Sequence, residues 1–519
     1  MRRSLSIARG ALALLVVLLL HINLAAGESK ALAKRIEQEL SHPDVARALW
    51  GIEVVSLKTG KVLYAQNETK LFTPASNTKL FTTAAALALI GSNYKFQTTV
   101  ETTGTVDKYG RLIGNLVLVG RGDPNLSGRV LPYKLRTERS LESIPALENL
   151  ADQVVKKGVK YIDGDVVADD SYYVLERYGE GWTQDDLVWG WGAPVSALTI
   201  NDNVLYVSVQ PADRVGEKAF ITIRPFSDYY RLDNRVITTA PGTRPRRVFI
   251  SRAPGSTQLT IWGYIPADDA GTNEMLAIED PADFAAQLFR SLLEKRGVVI
   301  YGRSRTRHSE LASLSTFTAT PTAPARGGDG APRVTTPLVL ARYESQPLGE
   351  DLRVINKASQ NLHAELLLRL LGKEKGTSAT IEGGLEVVRG FLQQMGINSD
   401  EYAFYDGSGL SRQNLVTPDA IVRLLSYCSR QSWGPMFEDT LPVGGVDGSL
   451  RERYKLTSAQ GRVHGKTGAL NHVNALSGYA TTLSGDEVAF SILVNNHNLA
   501  PRRALETIDR IVEAVVMDK

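Results

Sequence analysis

Two hydrophobic periods run along this chain, and their order divides it. Gly51 to Leu57 and Lys61 to Ala65 are short β-type runs joined at Lys58-Thr59-Gly60, which predicts a hairpin. Leu80 to Ile90 is rich in Ala and Leu and stops at Gly91, which predicts a helix with Pro74-Ala75-Ser76-Asn77-Thr78-Lys79 at its mouth. From about Lys95 the pattern changes to short strands parted by Gly, Pro and Asp, with helical stretches only near Ser143 to Lys157 and Asp283 to Lys295. Helical spacing returns over Asn361 to Leu371, Thr380 to Met395 and Thr417 to Ser426. Val473 to Leu483 and Glu487 to Asn495 then form a second hairpin, and Pro501 to Met517 an amphipathic helix. Hairpins at both ends, each beside a helix, predict one antiparallel sheet built from the two ends of the chain. The fold class expected is therefore α+β, with residues 27–94 and 338–519 forming one domain and a β-rich insertion over 95–312. A second insertion nests within it at about 204–262.

Composition sharpens this outline. The 519 residues are 43% hydrophobic and 22% charged, enough for a buried core and unlike a disordered chain. Ser313 to Pro337 is the exception: rich in Thr, Pro, Ala and Gly, it cannot bury enough apolar surface to fold alone and reads as a flexible linker, 313–337. Arg2, Arg3 and Arg9, the apolar run Ala11 to Leu20 and the small residues Leu24-Ala25-Ala26-Gly27 make residues 1–26 an export signal, with Sec and twin-arginine routes both open. An uncleaved anchor is the alternative, and peripheral membrane association stays open with it, although ten apolar residues fall short of the ~20 that span a bilayer. Without those 26 residues the charge is 56 basic against 56 acidic, which argues against nucleic-acid binding by bulk attraction. The expected location is outside the cytoplasm, in the periplasm or cell envelope. A single Cys428 permits no internal disulfide and no CxxC metal site, and its apolar surroundings, Ile421 to Tyr427, make it a packed helix residue.

The candidate chemistry lies in three short motifs. A serine hydroxyl needs a neighbouring base to become a nucleophile, and Lys79 follows Ser76 by three residues, on the same helix face. At a helix mouth the Ser76 N–H also points toward developing negative charge. This SxxK pattern alone fits a capped helix equally well. Farther on stand Ser359-Gln360-Asn361 and His464-Gly465-Lys466-Thr467-Gly468-Ala469, the latter on an expected edge strand where Gly468 lets another backbone approach. Gly465-Lys466-Thr467 is not a P-loop, because the glycine that motif requires at 460 is Gln460. His464, His472 and His497 lack a metal-ligand pattern, and no metal or cofactor is expected. His363-Ala364-Glu365 lacks the paired cysteines of a deaminase. Trp182, Trp189 and Trp191, among glycines, fit core packing or a glycan-contacting wall.

In the order SxxK, SxN, KTG the three motifs resemble the penicillin-recognising serine acyl-transfer enzymes. The 283-residue gap from Ser76 to Ser359, against 107 from Ser359 to Lys466, is similar to one branch of them. That branch is the class C low-molecular-mass penicillin-binding proteins, D-alanyl-D-alanine carboxypeptidase/endopeptidases of peptidase family S13. Asn356-Lys357-Ala358-Ser359, Asp406-Gly407-Ser408-Gly409-Leu410-Ser411-Arg412 and Leu441-Pro442-Val443 carry the same likeness. The resemblance implies a transpeptidase/β-lactamase-like domain interrupted by mostly β domains, and peptidoglycan peptides and β-lactam antibiotics as partners. Ser76 would be the acylated nucleophile and Lys79 its base, with burial and Lys466 lowering its pKa. Ser359 would relay the proton to the leaving amine and Asn361 would hold the substrate amide. Lys466 and Thr467 would bind the terminal carboxylate, and the N–H of Ala469 would complete an oxyanion hole. Asp169 and Arg412 match positions that contact a diaminopimelate-type side chain, or else they brace the surface. An idle wall-binding scaffold and a β-lactamase are the competing readings; oligomeric state is not legible.

Overall fold

The computed structural model describes residues 30–135, 143–225, 228–311 and 336–518. The expected export signal, 1–26, and all but the last two residues of the expected linker, 313–337, lie outside them.

The two ends of the chain do share one sheet. Its five strands run Val62–Gln66, Leu49–Ser56, Glu487–Asn495, Val473–Thr481, Val463–Leu470, and every neighbouring pair is antiparallel. Leu49 to Ser56 pairs residue for residue with Asn495 to Val488, sequence ends more than 430 residues apart meeting in mid-sheet. Alternation then sorts the side chains. Val488, Phe490, Ile492 and Val494 face the helix of residues 30–40 and the terminal helix Pro501–Val516, contributing Leu32, Ile36, Ile508 and Val512. Ala489 and Leu493 face the opposite layer, helices Thr78–Leu89, Leu348–Lys357, Asn361–Lys375, Ile381–Gln394 and Pro418–Ser429. Covered on both faces, the central strand is buried from Val488 to Asn495. Cys428 lies in that second layer, and burial pushes its thiol far above the ordinary range, so it is a packing residue.

The middle of the chain builds a mixed five-stranded sheet, in the order Ser304–Ser309, Val166–Val174, Leu116–Val119, Gln97–Thr102, Leu338–Glu344, with helices Pro145–Lys156 and Pro281–Glu294 in its own core. Leu338–Glu344 pairs with Gln97–Thr102, so the chain returns to the layers around the shared sheet later than residue 338. The two crossings lie side by side, with Ser345 N–H donating to Phe96 O (3.0 Å) and Leu348 N–H to Tyr94 O (2.8 Å). Within the insertion, two three-stranded sheets occupy 204–277. The strand Thr272–Ala277 pairs with Val204–Gln210 and carries this nested unit past 262.

Candidate active site

Ser76 stands on a 3-10 turn, Ala75–Asn77, that runs straight into the helix Thr78–Leu89. The turn is clamped from two sides by backbone that only glycine allows. A Cβ on Gly409 would come 1.9 Å from Ala75 O, and one on Gly468 would come 2.7 Å from Pro74 O. Asn77 Nδ2 donates to Lys466 O (3.2 Å) and ties the same turn to the edge strand. Ala75 itself takes φ +48°, a left-handed conformation that these contacts hold in place.

One turn on, Lys79 is fully buried and its Nζ has three oxygen neighbours: Ser408 O at 2.5 Å, Asn361 Oδ1 at 2.6 Å and Ser76 Oγ at 2.9 Å. None is a carboxylate. Burial therefore dominates and pulls the Lys79 pKa down to about 7, against the more distant pull of Asp406 and Glu365 in the opposite direction. At neutral pH a large share of Lys79 is an uncharged amine with a lone pair. Lys466, also fully buried, is driven far below its ordinary value by burial and then by the Lys79 charge. Of the two causes expected to lower Lys79, burial dominates, and the repulsion between the lysines falls on Lys466.

Ser359 occupies the joint between helices Leu348–Lys357 and Asn361–Lys375 with φ +58°, and its Oγ accepts from Lys466 Nζ (2.8 Å). Asn361 Nδ2 donates to Trp191 O (2.9 Å), so the inserted region reaches into the site through its backbone. Thr467 Oγ1 meets Ser449 Oγ at 2.6 Å. Along the edge strand, Gly465 N–H donates outward to Pro442 O and Val463 O accepts from Gly444 N–H. In an antiparallel pair the outward groups recur every second residue, so the N–H groups of Thr467 and Ala469 face the open edge beside Ser76.

A cleft of about 390 Å³ adjoins this centre, lined among others by Asn361, Ala469, Arg412, Asp185, Asp186 and Trp191. Arg412 thus reaches the site, whereas Asp169 does not line the cleft. Its carboxylate sits on the strand Val166–Val174, paired with Arg307 on the neighbouring strand (2.9 Å) and with Ser171 (2.6 Å). Asp169 is a sheet-bracing residue here, and the acids near Arg412 are Asp185 and Asp186. Asp186 accepts from Thr183 Oγ1 (2.6 Å) and Trp191 Nε1 (3.0 Å), while Asp185 is exposed. Trp191 stacks on Trp189 at 5.4 Å. Sequence reading named Trp191 and Ser408 but not the carbonyls through which they contribute, and it passed over Ser449, which follows no motif, and Asp186, in a 3-10 turn 17 residues beyond Asp169. The histidines are engaged elsewhere, His497 Nε2 with Asn474 Oδ1 and His472 Nδ1 with His497 O. Among the described residues no cluster of His, Cys, Asp and Glu suits a metal ion.

The family model for D-Ala-D-Ala carboxypeptidase 3 (S13) matches residues 32–315 and 330–515. The chain belongs to that family. It is accordingly a serine-type D-Ala-D-Ala carboxypeptidase. A D-alanyl-D-alanine carboxypeptidase of Actinomadura sp. (strain R39) is 34% identical over 513 residues, 95% of this chain and 88% of that protein. The crystal structure of penicillin-binding protein 4 (dacB) from Haemophilus influenzae matches with TM-score 0.77 and 24% identity, covering 93% of this chain and 99% of that one. The same H. influenzae protein complexed with a β-lactam matches with TM-score 0.70 and 22% identity over 93% of this chain and 98% of that one.

Proposed function

We propose that this carboxypeptidase works through an acyl-enzyme on Ser76, cleaves both terminal D-Ala-D-Ala and the corresponding peptide cross-links of peptidoglycan, and is acylated by β-lactams. The observation that carries this reading is the environment of Lys79, a buried amine whose pKa burial lowers to about 7 and whose Nζ lies 2.9 Å from Ser76 Oγ. Neutral Lys79 takes the Ser76 proton as Oγ attacks the carbonyl carbon of the penultimate D-alanine. The tetrahedral oxyanion sits between the N–H groups of Ser76 and Ala469. Ser359, hydrogen-bonded to Lys466, gives its hydroxyl proton to the leaving nitrogen as the C–N bond breaks and is reprotonated by the proton that Lys79 had taken, and Thr467 with Lys466, an N–H donor in either protonation state, binds the departing D-alanine carboxylate. Water then attacks the Ser76 ester and restores the hydroxyl. Asn361 orients the substrate amide, and Gly468 allows the extended peptide to lie along the edge strand.

When the leaving nitrogen belongs to a cross-linked side chain instead of free D-alanine, the same steps are endopeptidase action. A β-lactam enters by the same attack, but its leaving nitrogen stays tethered and obstructs water. Arg412 and the pair Asp185 and Asp186 offer opposite charges for the zwitterionic end of a diaminopimelate-type third residue, in place of the pairing of Arg412 with Asp169. The N-terminal export signal would deliver the enzyme to the cell envelope, where this substrate lies; no helix among the described residues is long and apolar enough to cross a membrane. A wall-binding scaffold would have no use for a buried amine held on a serine hydroxyl, since burying it costs stability.

Mass spectrometry of products from defined muropeptides tests the reading. Pentapeptides should lose one D-alanine and cross-linked dimers should resolve to monomers, both abolished by Ser76→Ala. Dimers left intact would remove the endopeptidase claim, and turnover surviving Ser76→Ala would remove the mechanism.

A further inference from the structure

The Lys79 contacts impose a direction on its lone pair. Ser408 O and Asn361 Oδ1 can only accept, so the two N–H groups of a neutral Lys79 go to them. The remaining lone pair then faces Ser76, whose hydroxyl can donate. One of the two orienting groups is a backbone carbonyl in a loop, and its position depends on what holds that loop.

Glu365 lies one helical turn beyond Asn361 on Asn361–Lys375, on the same face, and is fully buried. Its Oε1 accepts from both Gly407 N–H and Ser408 N–H, each at 2.9 Å. From the other side Thr82 Oγ1, on the Ser76 helix, donates to Gly407 O (2.8 Å). Asp406 fastens the next residues by accepting from Gly409 N–H (2.8 Å) and Ser411 N–H (2.7 Å), and Trp182 Nε1 donates to it (2.9 Å). The Glu365 carboxylate faces Arg369 on its own helix (3.2 Å), Asp406 on the loop and Lys79 beyond it.

We propose that Glu365 is a positioning residue of the acylation step: by holding two adjacent loop N–H groups it keeps the Ser408 carbonyl on Lys79, and so keeps the Lys79 lone pair on Ser76. Burial pushes the Glu365 carboxyl itself up to about 7, and when ionised it adds, after Asp406, to the pull that favours the protonated lysine against the larger effect of burial. The inference rests on Lys79 acting as the base for Ser76.

Three variants test it by steady-state release of D-alanine, with circular dichroism melting to count folded protein. Glu365→Ala frees the loop and should lower kcat about a hundredfold with KM unchanged, since Glu365 does not touch substrate. Glu365→Gln keeps an acceptor for Gly407 and Ser408, and Arg369 keeps the Glu365 and Glu176 carbonyls as acceptors (3.0 and 2.7 Å). This variant should keep the alkaline plateau of kcat but move the acid limb of the profile to lower pH. Should Glu365→Ala fold poorly, Thr82→Val loosens the same loop from the opposite side and should lower kcat in the same direction, by less. The proposal is overturned if kcat per folded molecule in Glu365→Ala or Thr82→Val equals that of the wild type. It is also overturned if Glu365→Gln falls as far as Glu365→Ala, or if its acid limb stays at the wild-type pH. Failure of the underlying reading is separable, because it would show as activity retained in Ser76→Ala.

Discussion

Two buried cations lie on neighbouring stretches of this protein and meet opposite fates. Lys79 is surrounded by a carbonyl, an amide oxygen and a hydroxyl, and its charge is disfavoured; it ends with a lone pair directed at the half-buried Ser76. His363, four residues after Ser359, is equally buried, but its Nδ1 meets Asp351 at 2.7 Å and its Nε2 meets Asp202 at 3.2 Å. Burial works against the imidazolium, yet the two carboxylates outweigh it and raise its pKa. Arg129 (2.8 Å) and Gln360 (2.7 Å) close the other side of Asp202, joining the inserted region to the SxN joint. The carboxylate in contact, and not burial itself, separates a buried base whose charge is disfavoured from one whose charge is held.

The widest gap between the two should appear on removing each cation. Lys79→Ala should cut D-alanine release by about 10²- to 10⁴-fold while leaving the melting temperature little changed. Wild-type activity should rise with pH through about 7, because neutral Lys79 is the active form. His363→Leu should instead leave Asp351 and Asp202 without their cation and cost about 3–5 kcal/mol of stability, with kcat per folded molecule far nearer the wild type. Its pH dependence has a definite sign. A folded-state pKa raised above the ordinary 6.5 means that the His363 contribution is full below 6.5 and is lost as pH rises through the raised value. Denaturant unfolding across that window should show the loss in the wild type and its absence in His363→Leu.

The same contrast holds for the two residues matched to side-chain recognition. If Arg412 reads the side chain as proposed, Arg412→Ala should slow turnover of diaminopimelate-containing peptides about ten- to a hundredfold, with β-lactam acylation nearly unchanged. Asp169→Asn should leave the choice of substrate unaltered and shift stability by less than about 1 kcal/mol, since Arg307 is largely exposed to solvent. Equal loss on peptide and β-lactam in Arg412→Ala would make that arginine structural as well.

Both end hairpins, the Ser76 helix and the edge strand bearing Lys466 were legible because alternation and helical spacing are local. Helix Leu348–Lys357 was not, since Asp351, Asn356 and Lys357 are polar yet buried by tertiary partners. The strand Leu338–Glu344 escaped for a related reason: nothing local says that it pairs with Gln97–Thr102. In the site, three motifs announced the side chains that the structure brings together around Ser76, because the proposed chemistry needs particular residue types. The Trp191 and Ser408 carbonyls carry no side-chain signature, and any residue could have supplied them. For Asp169 two readings stayed open, because a position matched along the chain does not reveal that, within a strand, its carboxylate already faces Arg307.

The central claim is that Ser76, activated by Lys79, becomes covalently acylated. Intact-mass and peptide-mapping mass spectrometry of the protein incubated with a penicillin tests it most directly. The account predicts one added acyl group per chain, mapped to the peptide containing Ser76, absent in Ser76→Ala and formed far more slowly in Lys79→Ala. An adduct on another residue, or one that persists in Ser76→Ala, would contradict it.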